Sequence, residues 1–177
     1  MMCDCYFSIQ GRAVAKFTTV FIPADHYFVP SQEAIAAAKL LMEKYFPDRG
    51  DEVQARIWEK PSFIDGRDSL ETLICPACGE TVDRFELEEN DDGETWWDHF
   101  MEKLWEYDDP IVTQITMPCC NQAVVAGNIR FPYNAGFARF KLWLPDPGDS
   151  MRVTDKQLAK LETTLGCKLI YIEDVWS

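Results

Sequence analysis

The chain has 177 residues, of which 47% are hydrophobic and 13% aromatic, and its formal net charge is −13. That much apolar material suffices for one folded domain, or for a core with a subdomain, and excludes a disordered polyelectrolyte. The charge opposes non-specific binding to nucleic acid, and no apolar run approaches the ~20 residues that cross a bilayer.

Met1-Met2-Cys3-Asp4-Cys5 leads into mixed polar sequence without a basic start, an apolar stretch or a small-residue cleavage site. A reducing cytoplasm is therefore expected, with Cys3 and Cys5 on an exposed terminus or, alternatively, forming a second metal contact. Ala13 to Ile22 is rich in β-branched and aromatic residues and ends at Pro23, which predicts a strand. Ser31 offers an N-cap to a helix from Gln32 to Phe46, where Ile35, Ala38, Leu41, Met42 and Tyr45 recur at helical spacing. Val53, Ala55 and Ile57 alternate with polar neighbours up to Trp58, the pattern of a half-buried strand.

Two arms, Leu73 to Asp83 and Ile111 to Val125, then flank a polar middle. Between them, Glu86, Glu88, Glu89, Asp91, Asp92 and Glu94 form an acidic loop. Thr95 follows as the cap of a helix whose Trp97, Phe100, Met101, Leu104 and Trp105 make an apolar stripe, which predicts core packing.

The second half repeats the element order of the first without repeating its sequence. Ala138, Phe140, Leu142 and Leu144 alternate with Arg139, Lys141 and Trp143 in the clearest strand of the chain. Thr154 and Gln157 form a capping-box pattern before Leu158, Leu161 and Leu165, Gly166 stops the helix, and Lys168 to Ile172 reads as a last strand with Cys167 in the core. Two β-α-β units predict an α+β fold, a ferredoxin-like sandwich formed by residues 1–70 and 128–177. Residues 71–127 are expected to be an inserted, zinc-ribbon-like acidic subdomain.

Within that insertion stand Cys75-Pro76-Ala77-Cys78-Gly79 and Pro118-Cys119-Cys120. The first spacing lets two sulfurs from one tight turn face one ion; the adjacent pair can do so only if the backbone bends after Pro118. The reading is a structural Zn(Cys)4 site of Cys75, Cys78, Cys119 and Cys120, and four protein ligands leave no open position for catalysis. The alternatives are buried small hydrophobes, a redox pair, a Cys119–Cys120 disulfide, or a site in which His99 replaces one cysteine.

Residues 71–127 contain 14 acidic and 2 basic side chains, whereas the rest of the chain is nearly balanced. Such a segment attracts a basic partner rather than phosphate. Nucleotide-binding glycine loops, H-E-x-x-H and G-x-S-x-G are all absent, His26 reads as an ordinary loop residue, and no catalytic residue is assigned.

Tyr27 to Ser31, Phe63-Ile64-Asp65, Cys75 to Gly79, Trp96-Trp97, Pro118-Cys119-Cys120, Gly136 to Phe140 and Leu161 to Gly166 together resemble a family of small bacterial cytoplasmic proteins. That family has a C-P-x-C-G … W-W … P-C-C-G … G-F-A-R-F order. The resemblance covers most of the chain from Phe28 onward and implies the zinc site and a bacterial origin, but supplies no function. The chain departs at Asn121, where the family usually has glycine, which puts the local turn in question.

The sequence thus points to a non-catalytic, zinc-stabilised binding protein whose acidic surface engages a basic protein. An immunity protein that neutralises a toxin is the concrete version. The alternative is an accessory module of nucleic-acid metabolism, for which Arg130, Arg139, Lys141 and Arg152 around Phe131, Tyr133 and Phe137 are the candidate groove.

Overall fold

Four long strands, β1 (Lys16–Pro23), β2 (Gln54–Asp65), β7 (Ala135–Pro145) and β8 (Leu169–Trp176), pair in the order β2-β7-β1-β8, every neighbour antiparallel. The computed structural model describes residues 16–49, 52–145, 147 and 152–176. Cys3, Cys5 and the first residues of the strand expected from Ala13 lie outside the described residues.

Strand β1 (Lys16–Pro23) leads to α1 (Gln32–Tyr45), where the Ser31 hydroxyl accepts from the Ala34 amide at 3.2 Å and so caps the first turn. The chain returns as β2 (Gln54–Asp65). After the insertion, β7 (Ala135–Pro145), α3 (Asp155–Leu165) and β8 (Leu169–Trp176) repeat that path. β7 lies between β1 and β2, and β1 lies between β7 and β8, so the two units interlock in one sheet. Phe21, Phe140, Leu142 and Leu144 pack with Ile35, Ala38 and Met42 of α1 and Leu161 and Leu165 of α3, so both helices cover one face. Among the described residues the architecture is mixed α+β, with three α-helices, this four-stranded sheet and two small two-stranded sheets.

Four local expectations change. Strand β2 runs on to Asp65 instead of ending near Trp58, passing Pro61 at a register irregularity between Ile57 and Ser62. An edge strand tolerates that proline because no inner ladder needs its missing N–H. Ile57 is 41% exposed rather than half-buried. Ala138 leaves the helix-side row and packs with Val20, Ile22, Ile64 and Ile172, because the same irregularity resets the alternation of β7. Cys167 sits half-buried just before β8, after Gly166 has ended α3 in the left-handed conformation at φ 78°.

The insertion contributes two hairpins, β3 (Thr72–Ile74) with β4 (Thr81–Asp83) and β5 (Gln114–Thr116) with β6 (Ala123–Val125), and between them α2 (Trp96–Glu106). The Thr95 hydroxyl and the Asp98 carboxylate cap α2 reciprocally. Trp97, Phe100 and Leu104 pack with Leu73, Val82, Ile115 and Met117 of the hairpins. Phe63, Ala135 and Phe137 belong to the same cluster, so the insertion's core continues into the end of the sheet.

Candidate metal centre and acidic surface

Each hairpin ends in a turn that offers thiols, and the two turns are built alike. In the first, the Cys75 amide donates to the Glu80 carbonyl and the Gly79 amide to the Cys75 carbonyl, both at 2.9 Å. In the second, the Met117 amide donates to the Gln122 carbonyl and the Asn121 amide to the Met117 carbonyl, also at 2.9 Å. Gly79 (φ 81°) and Asn121 (φ 56°) hold the same left-handed position. Asparagine is among the few residues besides glycine that visit it routinely, which answers the question raised by the missing glycine.

The correspondence extends along both hairpins at a shift of 42 positions. Leu73 pairs with Val82 as Ile115 pairs with Val124, and the Arg84 amide bonds Glu71 as the Ala126 amide bonds Thr113. The insertion therefore contains a structural repeat that its side chains hide, since only Pro76/Pro118 and Cys78/Cys120 are identical across the turns. On this alignment Met117, fully buried, stands where Cys75 would be, and Cys119 stands where Ala77 is. The second turn thus takes its extra thiol from the residue beside Cys120, and the turn supplies the bend that an adjacent pair requires.

The four sulfurs lie within 4.8 Å of one another. Cys75 Sγ is 3.9 Å from Cys120 Sγ, and Cys78 Sγ is 3.4 Å from Cys119 Sγ. A tetrahedral ion bonded to thiolates at about 2.3 Å would set its sulfurs about 3.8 Å apart, so the cluster has the dimensions of a tetrathiolate site and can hold a metal ion. All four cysteines are free, which removes the Cys119–Cys120 disulfide. His99 does not join them. It is about half exposed on α2 and faces Glu94 at 3.4 Å and Glu102 at 4.0 Å. Burial opposes ionisation of Cys75, but the amides of Cys78 and Ala77 together with the thiols of Cys78 and Cys119 bring it down to about 7. Burial, and then the neighbouring thiols of Cys78 and Cys75, push Cys119 up to about 12. A bound dication would draw the protons from the thiols that are held up.

The acidic residues also lie where their sequence pattern puts them. Glu86, Glu88, Glu89, Asp91, Asp92 and Glu94 are all exposed. Asn90 organises their loop: its side-chain oxygen accepts from the amides of Asp92 and Glu94 at 2.9 Å, and its carbonyl accepts from Gly93. The stripe on α2 is corrected at one position. Trp97, Phe100 and Leu104 are buried and Met101 is half-buried, but Trp105 is 63% exposed because it falls one residue off the buried row.

Several of the residues proposed for a nucleic-acid groove are engaged within the fold. Phe137 is buried, Phe131 packs on the insertion core, Arg139 donates to the Trp58 carbonyl, and Arg152 pairs with Glu173. His26 is held below its usual range, chiefly by burial, and its ring meets Phe137 edge-on at 6.0 Å.

Two features escaped the sequence reading. Asp65, Arg67, Lys141 and Asp174 gather near the end of the sheet. The Arg67 guanidinium approaches Asp174 at 3.1 Å without hydrogen-bond alignment, and Asp65 Oδ2 is buried with no hydrogen-bond partner. The second feature is a cleft of about 880 Å³ between α2 and this cluster, with Phe85 and Trp105 among its walls. Both depend on pairing across the fold, which no local spacing encodes.

Comparisons of the chain with family models, with curated proteins and with solved structures found no match. The functional reading therefore rests on the site. Among the described residues, no helix is long and apolar enough to cross a membrane.

Proposed function

We propose that this is a non-catalytic, zinc-stabilised binding protein whose acidic insertion engages a basic protein partner, with neutralisation of a toxin by an immunity protein as the concrete version. The observation that carries the reading is the exposure of all six loop carboxylates on a unit tied together by four clustered thiols. Four thiolates at these separations suit zinc, with iron the alternative for the same sulfur set, and a closed quartet makes a bound zinc structural. The strand order β2-β7-β1-β8 supports a ferredoxin-like sandwich for the core, and the paired knuckle hairpins support a zinc-ribbon-like insertion. Free thiols suit a reducing cytoplasm.

A dense carboxylate surface speeds encounter with a cationic partner and can stand in for phosphate at its active site. The test is affinity capture from native lysate, with wild type beside a variant carrying Glu88, Glu89, Asp91 and Asp92 all changed to Lys. A basic protein recovered stoichiometrically, released by moderate salt and bound more slowly by the reversed variant supports the reading. Unchanged binding in that variant, with loss on replacing Arg139 and Lys141, would overturn it in favour of the nucleic-acid module.

A further inference from the structure

Besides the loop, the insertion presents a band of exposed aromatic and apolar side chains. Phe85 is 68% exposed, Trp105 63%, Tyr107 55% and Val112 59%. Three depressions join them in sequence: one of about 880 Å³ between Phe85 and Trp105, one of about 500 Å³ between Trp105 and Tyr107, and one of about 710 Å³ between Tyr107 and Val112. Core packing does not explain the band, because α2 already fills the core through Trp97, Phe100 and Leu104. Contiguous exposed aromatics of this kind mark interaction surfaces, where Trp and Tyr carry much of the binding energy.

Charge decides what the band accepts. Glu94, Asp98, Glu102 and Glu106 rim the first depression. Glu59, Asp108 and Lys60 line the second, and Glu106, Asp108, Asp109 and Lys103 the third, so carboxylates outnumber cations in each of the smaller two, and Lys60 already faces Asp109 at 3.5 Å. The two arginines of the first depression are engaged: Arg67 faces Asp174 at 3.1 Å, and Arg84 lies 4.9 Å over the Phe85 ring while donating to the Leu70 carbonyl. Glu106 has no ion pair with a described residue. Open indole and phenol faces beside surplus carboxylates fit a guanidinium, which stacks flat on a ring while its N–H groups fork to carboxylate oxygens. The Arg84 guanidinium, 4.9 Å from the Phe85 ring centre, already sets one such cation over an aromatic ring in the same cleft. An ammonium group, compact and strongly hydrated, uses such a surface less well.

We propose that this band, centred on Trp105, is the contact surface for an arginine-bearing segment of the basic partner, with the acidic loop steering the approach. The inference rests on the basic-partner reading and assigns its contact residues.

The probes are an oligo-arginine peptide and an oligo-lysine peptide of equal length, titrated by fluorescence anisotropy, with the tryptophan indole N–H signals followed by nuclear magnetic resonance. Wild type is expected to bind oligo-arginine several-fold more tightly than oligo-lysine and to shift the Trp105 signal while leaving that of Trp143 in place. Trp105→Ala should weaken oligo-arginine about tenfold and abolish the preference, whereas Trp105→Tyr should retain much of both. The four-Lys loop variant should bind more slowly but keep the arginine preference. Binding that Trp105→Ala leaves unchanged would overturn the band and leave the basic-partner reading standing. Failure of both peptides to bind at low salt would overturn that reading itself.

Discussion

Asp65 carries a cost that its sequence context does not disclose. Burial, and then the nearby charge of Asp174, hold its carboxyl above the usual carboxylate range, and Oδ2 has no hydrogen-bond partner. Lys141, on the same sheet, is held below its usual range, chiefly by its own burial. A carboxyl raised in the folded state contributes stability that is present below its unfolded value and lost as pH rises through the raised one. Asp65→Asn should therefore be more stable than wild type at neutral pH, with the difference closing as pH falls below the ordinary carboxylate range. Urea denaturation of both proteins across that range checks the sign; a variant less stable at neutral pH would show that Asp65 is held by favourable charge. At this scale the cysteine quartet was legible because its residue types and spacing are local. The Asp65 cluster was not, because β2, β7 and β8 assemble it across the sheet.

Among the elements, the two knuckles show how one backbone shape arises from dissimilar sequences. Each needs a left-handed residue after its second cysteine, filled by Gly79 in one and Asn121 in the other. Nothing lies within 4 Å of a Cβ added at Gly79, so Gly79→Ala meets no clash and should cost only the strain of the left-handed backbone, about 1 kcal/mol. Asn121→Gly should be nearly neutral. Denaturation of the metal-loaded proteins measures both; equal losses at the two positions would show that side-chain contacts rather than backbone conformation set the turns. Helices α1, α2 and α3 were legible through caps and periodicity, each of them local. The extent of β2 was not, since Glu59-Lys60-Pro61 breaks the alternation while the edge of the sheet still accepts it. The repeat was hidden because it lies in hydrogen bonds and pairing, and Met117 stands where a cysteine would have announced it.

For the whole molecule, the division of labour follows from where the charge and the apolar clusters fall. The sheet and its two helices have their own core, while the insertion's core draws only Leu73, Val82 and Ile115 from the hairpin strands, each three residues long, and takes the rest from α2, the connecting segments and the end of the sheet. Short hairpins are marginal alone, and a shared ion is what would tie these two together. The central claim is therefore that the four thiols hold a metal. Elemental analysis of the native protein, combined with thiol titration, tests it most directly. About one zinc per chain is expected, with Cys75, Cys78, Cys119 and Cys120 unreactive until a chelator removes the ion. A chain carrying no metal, with all four thiols titrating freely in the native state, would contradict the account.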